Sequence, residues 1–324
     1  MAIQSALAQV GVAKQSAKGS AASNPTFGHG VTNGTVLTVD VSQALADQTS
    51  GARVSPGVDR TGVMPGMDFS CRAHSKTLGL YLYGVLGSLA TTGAGPYTHT
   101  ITSGADLPYL TSFGKLGSNI YAVQDMKLDS VGINFNGTEP VEVAVSGMGT
   151  VANYAATFTA GTDDTLASYF AAHTGTFSVD VDGGSGTAAT AKIASGSITI
   201  NNNLETIMIS GSISPDDVFV GRQEVEVSFD IIPDDLAMWR TIVTGTSTGT
   251  SAAATPVYGS FSIAFTNGSD TVTLAGTRVA FTADFPDVDP AGGPVTISLA
   301  GLAVQPANGG TPVTATLVNS QASY

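Results

Sequence analysis

Apolar positions along this chain recur in two periods, and the two periods divide it into many strands and two short helices. From Ser75 to Gly87 the apolar Leu78, Tyr81, Leu82, Val85 and Leu86 fall at i, i+3, i+4, i+7 and i+8. That spacing predicts a helix with one apolar core face, started by Ser75 or Thr77 as cap and ended by Gly87. The expectation is a helical lid over a sheet. The pattern returns from Asp234 to Gly245, where Leu236, Trp239, Val243 and Gly245 take the places of Leu78, Tyr81, Val85 and Gly87. In each case the separation is 158 positions, close to half of the 324 residues. A repeat at that distance predicts one fold written twice.

The other apolar positions mostly alternate, which is the strand period. Thr35 to Val41 reads as a strand, with a second edge expected at Arg53 to Ser55. Met67, Phe69 and Cys71 alternate with Asp68, Ser70 and Arg72, and Val141, Val143 and Val145 alternate with Glu142, Ala144 and Ser146. Asn136-Gly137 marks the turn between two such runs. Further echoes appear late in the chain: Ser214-Pro215 for Ser55-Pro56, Phe229 for Phe69, and Val295, Ile297 and Leu299 for Val141, Val143 and Val145. The expected organisation is an N-terminal arm over 1–30, a first half over 31–152, a linker or insertion over 153–190 with a helical turn near Leu166 to Ala172, and a second half over 191–324. The arm and the linker lack a sustained apolar period. They are expected to order only against a neighbouring molecule and to form the contacts between stacked copies.

Composition narrows the function classes. Charged residues make up 11% of the chain and the net charge is −13, which argues against a grip on nucleic acid, because that rests on clustered Lys and Arg. The lone Cys71 excludes an intramolecular disulfide and reads as a small buried hydrophobe. No apolar run reaches the length of a membrane span, and the N-terminus has no secretory pattern, so the expected setting is a cytoplasm. His29, His74, His99 and His173 show no metal-ligand spacing, and no metal or cofactor is expected.

Catalytic chemistry finds no foothold. The carboxylate pair Asp234-Asp235 stands at a helix start, where capping explains it, while Asp163-Asp164 and Asp216-Asp217 stand in turn-like surroundings. Glycine-rich phosphate loops are absent, and the chain is not expected to be an enzyme. Tyr121, Tyr258 and Trp239 are too widely spread for a stacking platform and read as core aromatics. One face does stand out. Val225, Val227, Phe229 and Ile231 point one way along their strand, while Glu224, Glu226, Ser228 and Asp230 point the other. Carboxylates at that density would repel one another on an ordinary strand, so the face reads as a wall that does not stick to polyanions.

Several segments resemble the tail tube, or major tail, proteins of long non-contractile-tailed bacteriophages. The opening VGVAKQSAKGSAA is similar to the family's N-terminal arm. LGLYLYGVLG, GPYTHTI and LPYLTSFGKL follow the family's order of leucine-rich helix, Tyr-x-His segment and Leu-Pro-x-x-Thr strand. YAVQDMKLDSVGINF with VEVAVSGMG resembles the next hairpin, and VTATLVNSQASY the last strand.

The resemblance implies a mainly β fold of packed antiparallel sheets in a sandwich or barrel, here in two copies, each flanked by a short helix. It implies a structural virion protein, assembled in the host cytoplasm, whose rings stack into a tube through which genomic DNA passes unbound. Its partners would be its own copies together with tape-measure, tail-tip or baseplate, and terminator proteins. The duplication predicts three chains per ring, and the acidic Glu224, Glu226 and Asp230, with Asp68 in the matching strand, are expected to face the lumen. The rival class is a secreted or surface β-sandwich adhesin or carbohydrate-binding module.

Overall fold

The structure is a computed structural model and describes residues 4–47, 51, 53–182, 192–286 and 294–324. In chain order its strands begin with β1 (Ala8–Lys14), β2 (Phe27–Gly30), β3 (Asn33–Leu45) and β4 (Val58–Arg72). Helix α1 (Thr77–Leu86) runs directly into β5 (Gly87–Thr92), followed by β6 (Tyr97–Ser103), β7 (Leu110–Leu116), β8 (Asn119–Asn136), β9 (Glu142–Met148), β10 (Val151–Asn153), β11 (Thr162–Asp163) and β12 (Thr176–Asp180). Then come β13 (Lys192–Asn201), β14 (Glu205–Ile207), β15 (Asp217–Phe219), β16 (Glu224–Ile232), helix α2 (Ala237–Thr244), β17 (Tyr258–Asn267), β18 (Asp270–Ala283), β19 (Ile297–Ala303) and β20 (Thr314–Asn319). Parts of the 47–52 and 153–190 segments lie outside the described residues.

Among the described residues, eighteen strands join one mixed sheet and β14–β15 form a separate pair. The long strand β8 organises it. Its first part pairs with β7 and β10, and its last part pairs with β9 on one side and β13 on the other. A continuous antiparallel run β3–β4–β9–β8–β13–β16–β19–β18 follows from these pairings. One hydrophobic core lies against it and takes side chains from both ends of the chain, including Phe69, Val145, Val131, Ile198, Phe229 and Leu299. The rings of Phe135, Phe177, Phe229 and Phe265 meet there, with Phe135 stacked on Phe177 at 5.1 Å.

Helix α1 is more than a lid. Every residue in it except Tyr83 is buried, so the side away from the apolar stripe is covered as well. Gly79 lies against the Tyr324 ring, and Gly84 faces Leu128 and Leu110, each so close that a Cβ would collide. Neither Ser75 nor Thr77 caps the start. Asp164 supplies that carboxylate from far along the chain, accepting from the Thr77 backbone N–H at 3.2 Å and from Thr77 Oγ1 at 2.6 Å. Gly87 ends the helix in the left-handed region at φ 93°, a conformation that favours glycine.

Helix α2 is more open. Thr241 is its buried residue, Leu236 stands at the N-cap and is exposed, and Trp239 only partly packs on the core. Asp235 accepts from the Ala237 N–H at 2.8 Å, while Asp234 pairs with Lys192.

Four expectations are corrected. The N-terminal segment does not wait for a neighbour: β1 pairs with β7 and β2 of its own chain, and Val10 and Val12 alternate into the core with no exposed surface. Residues 157–163 lie against it, with Thr157 Oγ1 donating to the Ser23 carbonyl at 2.9 Å and β11 running parallel to β2. The helical turn expected near Leu166 to Ala172 forms instead at Ala172–Thr174, and Leu166 is fully exposed. Arg53 to Ser55 form no strand. Pro56 and Gly57 interrupt there, and pairing with β3 begins at Val58.

Candidate functional site

The sheet's second face, opposite the core, is assembled row by row from strand register. One row runs Asp68, Ser146, Ser130, Asn201, Glu224, and the next runs Ser70, Ala144, Gly132, Thr199, Glu226. A third runs Arg72, Glu142, Asn134, Ser197, Ser228, Ala300, and Asn136, Ser195, Asp230 and Ser298 follow. Asp68, Glu224, Glu226 and Asp230 thus share one face of one sheet, although 156 positions separate Asp68 from Glu224 in the chain. Small and hydroxyl-bearing residues fill the space between them.

The carboxylates on this face differ in their surroundings. Asp230 accepts from Ser195 Oγ at 2.6 Å and from Ser298 Oγ at 2.7 Å. Those two hydrogen bonds hold its carboxyl below the usual carboxylate range, the first from Ser195 and the second from Ser298. Glu224 and Glu226 are exposed to water. Spaced two residues apart on one side of a strand, they lie about 7 Å from each other, where water screens most of the repulsion. Glu142 accepts from Thr32 Oγ1 at 2.6 Å.

Asp40, Asp129 and Glu205 are not marked out by the sequence reading, yet they join Asp68 in lining a groove of about 640 Å³ at the β3–β4 side of the face. Asp40 could have been found, because it falls on the alternation of Thr35 to Val41. Asp129 stands at the register shift of β8 between Leu128 and Ser130, Glu205 stands on the three-residue β14, and no period marks either.

Cations near the face are held by rings. Arg72 lies over Tyr169 at 4.5 Å, and Arg278 over Tyr258 at 4.1 Å while donating to the Gln305 carbonyl at 3.1 Å. Tyr258 is therefore an exposed partner for a guanidinium and not the core aromatic expected.

The remaining chemistry-bearing side chains are structural. His29 Nε2 meets the Tyr81 hydroxyl at 2.6 Å in full burial. His99 bridges Thr91 and the Gln321 carbonyl. Cys71 is buried, and burial pushes its thiol far above the ordinary value. Asp163 closes a local turn by accepting from the Thr165 N–H and Oγ1, and Asp216 and Asp217 share Lys18. Among the described residues no group of His, Cys, Asp and Glu could hold a metal ion, and no helix is long and apolar enough to cross a membrane.

A search of curated proteins finds no match to the chain. A family model described as phage tail tube protein matches residues 5–241, from the strand β1 region through the acidic strand β16 and into α2. That match covers well over half of the sequence, and the chain belongs to the phage tail tube protein family, a structural and non-enzymatic component of the virion tail.

Proposed function

We propose that the chain carries two copies of one strand–strand–helix–strand unit, that three chains close a ring, and that the acidic face lines the channel through which DNA leaves the virion. The observation that carries this reading is the polar face itself, continuous over β4, β9, β8, β13 and β16 without a break between the two parts of the chain.

Register supports the duplication. Gly34 is opposite Phe69 and Gly196 opposite Phe229; Phe69 is in turn opposite Val145 and Phe229 opposite Leu299. The hairpin turn at Gly117-Ser118 is repeated at Gly268-Ser269, with glycine φ of 64° and 62°. β1 lies on β7 as β12 lies on β17. Each β4-like strand leads into a helix that ends in a left-handed glycine, Gly87 and Gly245.

A lumen of negative sign repels phosphate oxygens, so DNA stays hydrated and slides. Large exposed apolar residues on the β3–β4 and β14–β15 hairpins, Leu45, Val58, Ile207 and Phe219 among them, suit contact with the next ring. A tube of such rings would enclose a tape-measure protein and end against terminator and tail-tip proteins. Membership of the family favours this reading over the adhesin. The test is replacement of Glu224 and Glu226 by Lys. Tubes are expected to form normally while DNA ejection, followed by dye release from particles, slows or stalls. Ejection at the normal rate would contradict a lumen position for these residues.

A further inference from the structure

The groove beside the acidic face is built differently from the rest of that face. Its floor crosses β3, β4 and β9: Asp40 is opposite Met64, and Thr38, Gly66 and Met148 form the next row. Gly66 leaves that row without a side chain at its centre. A Cβ there would strike the Gly147 carbonyl and Thr38 Oγ1, so the floor stays recessed. The β14–β15 hairpin stands over one side as a wall. It is tied down by the Leu204 N–H donating to Asp129 at 2.8 Å, by Thr206 Oγ1 donating to Met64 Sδ at 3.7 Å, and by the Val63 N–H donating to the Ile213 carbonyl at 2.7 Å.

Two properties of the lining point to an occupant from outside the chain. Three of the seven methionines, Met64, Met67 and Met148, line the groove, and they give an apolar, polarizable surface that adapts to the side chains laid on it. Asp40, Asp68, Asp129 and Glu205 rim it. Among the described residues no lysine or arginine answers these carboxylates, because the ion pairs join Lys18, Lys127 and Lys192 to other aspartates. An apolar floor with a carboxylate rim is complementary to a helix that carries an apolar stripe with Lys or Arg beside it. This chain's own helices do not qualify: α1 is buried and has no basic residue, and α2 has Arg240 alone.

We propose that the groove is a docking site for a basic amphipathic helix of a second protein, seated with its apolar stripe on the methionines and its cations against the rim carboxylates. In the assembled tube that helix would run inside the channel, a placement that rests on the lumen reading above. With Phe69 matched to Phe229, Glu224 and Glu226 take the places of Met64 and Gly66, so that match gives one groove per chain.

The test uses the dispersed full chain and a fluorescein-labelled synthetic Leu/Lys peptide of helical period, titrated by fluorescence anisotropy. The peptide is expected to bind, and to bind about tenfold more weakly to Asp40→Asn/Glu205→Gln and to Met64→Ser. None of these three residues is buried, so the variants keep the core. A peptide of the same composition in strand period, and a linear polyamine, are expected to bind more weakly than the helical peptide. Glu224→Gln/Glu226→Gln, which neutralises the same face outside the groove, is expected to leave the affinity unchanged. Absence of binding, equal binding to the wild type and the groove variants, or an equal loss from Glu224→Gln/Glu226→Gln would overturn the proposal. A polyamine that binds as tightly as the peptide would overturn it too, by reducing the effect to charge alone. Because no tube is formed, these outcomes are independent of the ring reading. A groove that binds the peptide in a tube whose acidic face lies outside would overturn only the lumen placement.

Discussion

Two buried contacts around α1 make single-residue predictions with definite sign. His29 is fully buried, and burial lowers its pKa from 6.5 to about 4, against a smaller opposite effect of the Gly30 carbonyl. A folded value below the unfolded one means that the unfolded chain binds the proton first. The stabilisation is therefore complete above about pH 6.5 and is lost as pH falls towards about 4, a loss on the order of 3 kcal/mol. His74, also lowered by burial, acts in the same direction. Urea midpoints measured across this window should fall for the wild type and fall less for His29→Gln, which is weaker at pH 7. Equal slopes would show that His29 takes up its proton in the fold.

Gly79→Ala provides the second residue test. On helix propensity alone it would stabilise by about 1 kcal/mol. Because the new methyl would strike the Tyr324 ring, the expected result is destabilisation by about 1–3 kcal/mol. Adding Tyr324→Ala should recover part of that loss relative to Tyr324→Ala alone, which a double-mutant cycle would measure.

At the scale of elements, strands whose alternation is uninterrupted are legible in the sequence, and contacts made from a distance are not. Met67, Phe69 and Cys71 and the valines of β9 are buried where the two-residue period puts them. The period of α1 marks its start and end to within two residues, but not that Tyr324 and Leu128 cover its other face, since nothing local announces a neighbour from a distant part of the chain. The same limit hides Asp164 as the cap of α1, because its surroundings in the chain are those of a turn residue. Asp164→Ala is expected to cost about 0.5–2 kcal/mol by removing that cap, read from thermal unfolding.

β1 escapes a sequence reading because VGVAK is too short, amid small polar residues, to establish a period, although Val10 and Val12 are fully buried. Deleting residues 2–25 should therefore strip β7 of one of its two partner strands, remove Val10 and Val12 from the core, and unfold the chain. A soluble, folded product from that deletion would mean that β1 is dispensable to the core.

For the whole molecule, the acidic face marks the boundary between what a strand period reveals and what only pairing creates. The alternation of Glu224, Glu226 and Asp230 is visible in the sequence, whereas their union with Asp68, and with Asp40 and Asp129 around the groove, comes from β8 pairing with strands from both parts of the chain. The Ser195 and Ser298 hydroxyls that hold the Asp230 carboxyl below its usual range are equally invisible along the chain, being brought in from two other strands.

If the two parts are copies of one unit, each chain supplies two neighbouring segments of the tube wall, and half of the junctions in a ring are already made within chains, tethered at high effective concentration. Trp239 in place of Tyr81 keeps the two junction types from being identical. The most direct measurement is a reconstruction of the assembled tube by electron cryomicroscopy. It is predicted to contain three chains per ring, with true threefold and only approximate sixfold symmetry, and with Asp68, Glu224, Glu226 and Asp230 on the channel surface. Six chains per ring, or a channel lined by only one part of each chain, would contradict it.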